Sequence, residues 1–228
     1  MRTIKLLACL LVFLGLAACN NESVSIRAIK IANSGFESGA DDWTGGIAEY
    51  TTAITATDTI LQLNRDLLPT GLDTTNYALL VTSKNRDANM FTYLVKPVAG
   101  LKPNTTYNVT FEIGLGTNYP QNISAGSAVY LKAGAAPFEP KKDSLTNAFN
   151  LDKGTGDKDG KQMVSIGNVS NELNRAGYAL VERNNRDKPV QVVASSNGLI
   201  WLCVGIQSGY KGTSILYFEN INVNIAQN

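Results

Sequence analysis

The chain has 228 residues, with 20 Lys and Arg against 19 Asp and Glu, a charged fraction of 17% and a formal charge of +1, so it carries no field able to recruit nucleic acid or an anionic membrane surface. Histidine is absent, which removes the commonest general base, the usual Ser and Cys triads and nearly every zinc site. The length suits one large all-β domain with a real core, and any chemistry would rest on carboxylates, Tyr or Lys.

In chain order, the first nineteen residues, MRTIKLLACLLVFLGLAAC, start basic at Arg2 and Lys5, run apolar from Leu6 to Leu16 and turn small before Cys19. The apolar run is too short to cross a bilayer, so residues 1–18 read as a signal peptide. Leu16-Ala17-Ala18-Cys19 resembles the lipobox of bacterial lipoproteins, whereas Leu7-Ala8-Cys9 leaves almost no apolar region before it. That resemblance implies cleavage before Cys19, lipidation of Cys19 (a palmitate-type anchor), and a bacterial cell-envelope protein held to the membrane only through its N-terminal lipid. Asn20 after the Cys is similar to the outer-membrane sorting pattern, and residues 19–27 read as a lipidated tether. Cys9 leaves with the leader and Cys19 takes lipid, so Cys203, in the apolar run LIWLCVGI, has no partner for an intramolecular disulfide.

A single domain is expected over residues 28–228. IKIA leads into the Gly-punctuated turn NSGFESGADDW, Asn33 to Trp43, which is expected to meet the last strand, Ser214 to Ile225. Strands are read in IAEYTTAITAT, TILQLN and YALLVTS, then from Met90 to Pro97 and from Thr106 to Leu115, the last two as an antiparallel pair about the Lys-Pro-Asn turn. In the second of these, Tyr107, Val109, Phe111, Ile113 and Leu115 alternate with Asn108, Thr110, Glu112 and Gly114, giving one core face and one open face. AVYLKAG is a strand, and residues 135–160 form a long loop ending in DKGTGDKDG. QMVSIGNVS, GYALVER, KPVQVVAS and GLIWLCVGI follow, the last two joined by Ser196-Asn197-Gly198 as a hairpin. About ten to twelve short strands without a helical period make the fold all-β, a sandwich or barrel.

The ordered set NSGFESGADDW, YALLV, then Leu101, Pro103, Thr105, Tyr107, Val109 and Phe111, then LYFENINV resembles the carbohydrate-binding modules with a galactose-binding-like jelly roll. The resemblance thins between Ala135 and Val169. It implies a β-sandwich of jelly-roll type, a carbohydrate or glycoconjugate ligand, a structural Trp43, and one structural calcium ion between the opening turn and the closing strand. By the same resemblance the calcium ligands are Glu37 and Glu219, with Asn33 in the same turn. Glu219 stands where the family usually has Asp, so calcium and a salt-bridged carboxylate both remain open. Asp152, Asp157 and Asp159 form a second acidic loop, which lacks full calcium-loop spacing and reads as solvated.

Sugar recognition calls for aromatic faces with amides and carboxylates beside them. Trp201, with Cys203 and Gly205, lies opposite the Ile200, Leu202, Val204 and Ile206 face, while Glu112 and Asn108 lie on the polar face of their strand. A binding face combining Trp201 and Glu112 from two strands of one sheet is therefore expected, with Gly114 and Gly205 leaving room and Tyr50, Tyr119 and Tyr210 at the rim. A non-catalytic binding lipoprotein fits these features best. The alternatives are a jelly-roll polysaccharide hydrolase or lyase, for which no E-x-D-x-E strand is present, and a structural or adhesive envelope protein.

Overall fold

The computed structural model describes residues 29–50, 61–86 and 88–228. The expected signal peptide, Cys19, the tether, residues 51–57 of one predicted strand and residues 59–60 of the next lie outside the described residues. Twelve strands and one short helix form among the described residues: β1 Ile29–Ile31, β2 Thr44–Ala48, β3 Leu61–Leu67, β4 Tyr77–Asn85, β5 Phe91–Val98, β6 Thr106–Thr117, α1 Ser124–Ser127, β7 Val129–Ala136, β8 Met163–Asn168, β9 Ala179–Asn184, β10 Val190–Val193, β11 Ile200–Ser208 and β12 Gly212–Gln227. They build a β-sandwich of two antiparallel sheets. The larger runs β10-β6-β12-β4-β3, with β9 beside β10 on β6 and β1 on β12; the smaller runs β2-β5-β11-β7-β8.

Strand alternation sets the core between the sheets. Val109, Phe111, Ile113 and Leu115 of β6 and Leu216, Phe218, Ile221, Val223 and Ile225 of β12 are fully buried, and meet Leu131, Ala133, Ile200, Leu202 and Val204 of the smaller sheet. The opening turn joins the closing strand as expected: Ile31 pairs with Asn224 and Ser34 bridges to Ile221. Trp43 is 3% exposed and donates from Nε1 to Ser34 Oγ at 3.0 Å, in the structural role expected of it.

Two expected pairings are corrected. β5 and β6 lie in opposite sheets, as do β10 and β11, so neither pair is a hairpin. The turn at Ser195–Gly198 does form, with Gly198 N–H donating to the Ser195 carbonyl at 2.9 Å and Gly198 at φ +67°. It carries the chain from one sheet to the other, because a turn's residues set the reversal of direction but not the sheet in which the next strand finds its partners.

The outer face of the smaller sheet is a second core. Phe91, Tyr93, Val95, Cys203, Ala136 and Met163 point outward there and are covered by Phe149 and Leu151 from the 137–162 segment. Phe149 lies 4.8 Å, ring to ring, from both Phe91 and Tyr93. The long loop is thus structural cover, a role that its Gly- and Asp-rich end concealed. Burial pushes the Cys203 thiol well above its ordinary range, as expected for an inert packing residue.

Candidate functional site

The outer face of the larger sheet is open around Gly114, where β9, β6 and β12 meet, while Leu68 and Leu72 pack over Gly116 at one end. Pairing register lines up its outward residues in rows across the three strands. Glu112 stands between Asn222 and Asn184, Gly114 between Asn220 and Glu182, and Gly116 between Tyr217 and Leu180. Between β9 and β12 a cavity of ≈ 270 Å³ opens, lined by Glu112, Gly114, Leu180, Glu182, Glu219, Asn220 and Asn222. Gly114 makes the depression: a Cβ there would lie 2.6 Å from Asn220 Nδ2 and 2.9 Å from Glu219 Oε2, so only glycine lets these two side chains lean over the strand.

Polar contacts orient the lining. Arg186 grips Glu112 with two prongs, Nε to Oε1 at 2.8 Å and a terminal nitrogen to Oε2 at 2.8 Å, and reaches Glu182 Oε1 at 3.0 Å. Such paired charge-assisted bonds fix both planes. Hydrogen bonding from Arg186 holds the Glu112 carboxyl below its ordinary range, and Glu112 in turn pushes Arg186 up. Asn222 Nδ2 donates to Asn220 Oδ1 at 3.2 Å, and Asn220 Nδ2 donates to Glu219 Oε2 at 3.1 Å. At one end Tyr217 and Tyr178 meet edge to face at 5.7 Å. The face therefore offers amides, carboxylates and an aromatic pair, the groups that orient and stack a hydroxylated ligand.

The residues singled out in the sequence are scattered. Glu112 lies in the cavity, and Asn108 on the same outer face, its amide donating to Asn228 Oδ1 at 3.4 Å. Trp201 does point outward, but from the other sheet, half-buried against the Phe91 and Phe149 cluster. It therefore shares no face with Glu112. The room expected at Gly205 is filled by the Phe91 ring, 2.0 Å from the position of a Cβ. Tyr50 accepts a bond from Lys142 Nζ at 2.7 Å. Tyr119 packs on the main core, its hydroxyl donating to the Thr213 carbonyl at 3.1 Å and accepting from Ile215 N–H at 2.8 Å. Tyr210 packs on the same core and its ring fills the space beside Gly212. Arg186, Glu182, Asn220, Asn222 and Tyr217 are additions; the spacing of Asn220, Asn222 and Asn224 by two was their signal in the sequence.

A β-bulge sets the direction in which Glu219 points. The register of β12 on β6 slips between Phe218 and Asn220, so Phe218 and Ile221 both face the core while Glu219 is the extra residue. Its carboxylate turns to the outer cavity, away from the buried face that carries Ile221 and Val223.

The residues present do not fit the calcium ion that the resemblance implies. Glu219 belongs to the outer cavity, Asn33 and Glu37 are exposed, and the carbonyls of Phe36 and Glu37 already receive Arg65, at 3.0 and 2.6 Å. Arg65 also stacks 3.1 Å over the Tyr77 ring centroid. Its guanidinium thus supplies positive charge at the opening turn, where Phe36, at φ 59°, donates its N–H to Asp41 Oδ2 at 2.9 Å. In the acidic loop Asp159 binds Ser165 N–H at 2.8 Å and pairs with Lys188 at 3.0 Å, while the Lys158 carbonyl takes the ammonium of the fully buried Lys132 at 2.6 Å. Among the described residues no three His, Cys, Asp or Glu side chains are grouped as a metal site.

Fold and site together define a two-sheet β-sandwich with one covered and one polar, open outer face. No family model and no curated protein sequence matches the chain. Among solved structures it is similar to the CBM22-1 xylan-binding domain of Paenibacillus barcinonensis Xyn10C, at 13% identity and a TM-score of 0.42, over 89% of this chain and 98% of that one. It is also similar to CBM27-1 of Caldicellulosiruptor saccharolyticus, solved with mannohexaose, at 14% identity and a TM-score of 0.36, over 86% and 97%. A third is the enzymatically active domain of tailspike protein 4 of bacteriophage CBA120, at 11% identity and a TM-score of 0.36; the match covers 83% of this chain and 20% of the tailspike chain. At such identities and TM-scores these likenesses bear on neither the ligand nor the site.

Proposed function

We propose that the protein is a non-catalytic glycan-binding lipoprotein of the bacterial envelope, which takes a carbohydrate or glycoconjugate on the outer face of its larger sheet. The observation that carries this reading is the open cavity over Gly114, where two asparagine amides, three glutamates and one arginine are prearranged beside an aromatic pair. Fixed amides and carboxylates suit hydroxyl groups, which both donate and accept. Binding is favoured over hydrolysis because Glu112 is held ionised by Arg186, whereas a general acid at a glycosidic bond needs its proton held upward in pH.

A glycan array followed by titration calorimetry tests the reading. Glu112→Gln and Asn222→Ala each lower the affinity for the glycan found by about tenfold, equivalent to about 1.4 kcal/mol, with the melting temperature almost unchanged. Unchanged affinity in both variants would move the site elsewhere. Anchoring rests on the lipobox-like Leu16-Ala17-Ala18-Cys19: Cys19→Ser abolishes incorporation of labelled fatty acid, and continued labelling would refute the anchor.

A further inference from the structure

The Gly114 cavity, at ≈ 270 Å³, falls just below the volume of about 300 Å³ at which pockets for small organic ligands begin. It has a larger neighbour. On the far side of the edge strand β9, between β9 and β8 of the opposite sheet, lies a cavity of ≈ 540 Å³ whose wall includes Gln121, Asn168, Ser170 and Glu172. Glu182 lines both cavities, so only the ridge of β9 stands between them.

The second cavity has a braced floor. Arg183, 9% exposed, donates to the carbonyls of Asn168 at 2.8 Å, Ser170 at 3.1 Å and Glu182 at 3.0 Å, and to Glu172 Oε1 at 2.7 Å. A buried guanidinium with its donors satisfied in this way locks the chain segments that it ties together. Gly167 lies over it at φ +113°, where a Cβ would press to 3.0 Å from Arg183 Cδ. What remains facing solvent is amide and carboxylate, from Gln121, Asn168, Asn184, Glu172 and Glu182, the same chemistry as in the first cavity, while the Ser170 hydroxyl is buried and donates to Asn168 Oδ1 at 2.8 Å.

We propose that this cavity is a second subsite, and that the ligand is an oligosaccharide chain crossing β9 from the Gly114 cavity to the Gln121 side. The proposal rests on the glycan-binding reading and adds to it the direction of the chain, across the strands, and a requirement for length. Two adjoining polar cavities sharing one wall residue hold consecutive units of one polymer, and each additional unit held adds contacts without a second loss of translational freedom.

The test titrates the protein with neutral β-1,4-linked oligosaccharide ladders of gluco, xylo, manno and galacto configuration, from monosaccharide to hexasaccharide, alongside the Gln121→Ala variant. Gln121 is exposed, and a thermal melt confirms that the variant folds. The expected result is an affinity rising about tenfold or more beyond the disaccharide in one ladder, with Gln121→Ala erasing that rise and leaving short-chain binding intact. Equal affinity for short and long chains, or a Gln121→Ala variant indistinguishable from the parent on long chains, overturns the second subsite and leaves the glycan reading standing. Loss of short-chain binding in Gln121→Ala overturns the assignment of the first subsite to Gly114. Binding of none of the ladders overturns the inference together with the reading on which it rests.

Discussion

Lys132 is a cation buried at a cost. It points outward from β7, yet its side chain is fully buried beneath the 152–162 segment and donates to the Lys158 carbonyl. Burial, reinforced by the nearby positive charge of Lys153, pushes it down to about 8 against an ordinary 10.5, with Asp159 and Asp157 pulling the other way. Because the folded value is depressed, the stability that the neutral amine contributes is complete above about 10.5 and is lost as pH falls towards 8. Denaturant melts between pH 7.5 and 9.5 therefore show stability rising with pH relative to Lys132→Met, in which that rise is absent. Parallel profiles for the two proteins would mean that Lys132 titrates normally. Glu112 shows the opposite residue-scale economy: partly exposed and paired with Arg186, it adds at most about 1 kcal/mol to stability.

At the scale of elements, the 137–162 segment and the β12 bulge decide which face is which. Phe149 closes the second core over Phe91 and Tyr93, so Phe149→Ala costs about 3 kcal/mol or more by the ordinary penalty for emptying an aromatic site. The adjoining Trp201 gains solvent, and its fluorescence shifts to the red. Trp201→Ala likewise lowers stability without weakening glycan binding. An unchanged melting temperature in both variants would show the cover to be loosely held. The opening turn is held by Arg65, so chelator leaves the melting temperature unchanged and Arg65→Ala lowers stability by about 1 kcal/mol, the value of a typical hydrogen bond. A drop on adding chelator would restore the calcium ion.

At the scale of the whole molecule, the sandwich was legible because alternation is a local signal. Tyr107 to Leu115 announces a core face, and Ile31 and Ser34 meet β12 as the opening and closing motifs suggest. Sheet membership was not legible, since the Ser195–Gly198 turn looks the same whether it returns a strand to its neighbour or passes it to the other sheet. That gap put Trp201 beside Glu112 in expectation and on opposite sides of the molecule in fact. The bulge at Glu219 was equally silent, because one unpaired residue leaves no mark on composition yet reverses the parity of all that follows.

The open outer face of the larger sheet is the central claim, and backbone amide chemical-shift mapping of the protein titrated with its array-identified glycan tests it most directly. The account predicts that shifts cluster on β6, β9 and β12, around Gly114, Glu182, Asn220 and Asn222. Shifts clustered instead around Trp201, Tyr50 and the 137–162 segment would contradict it.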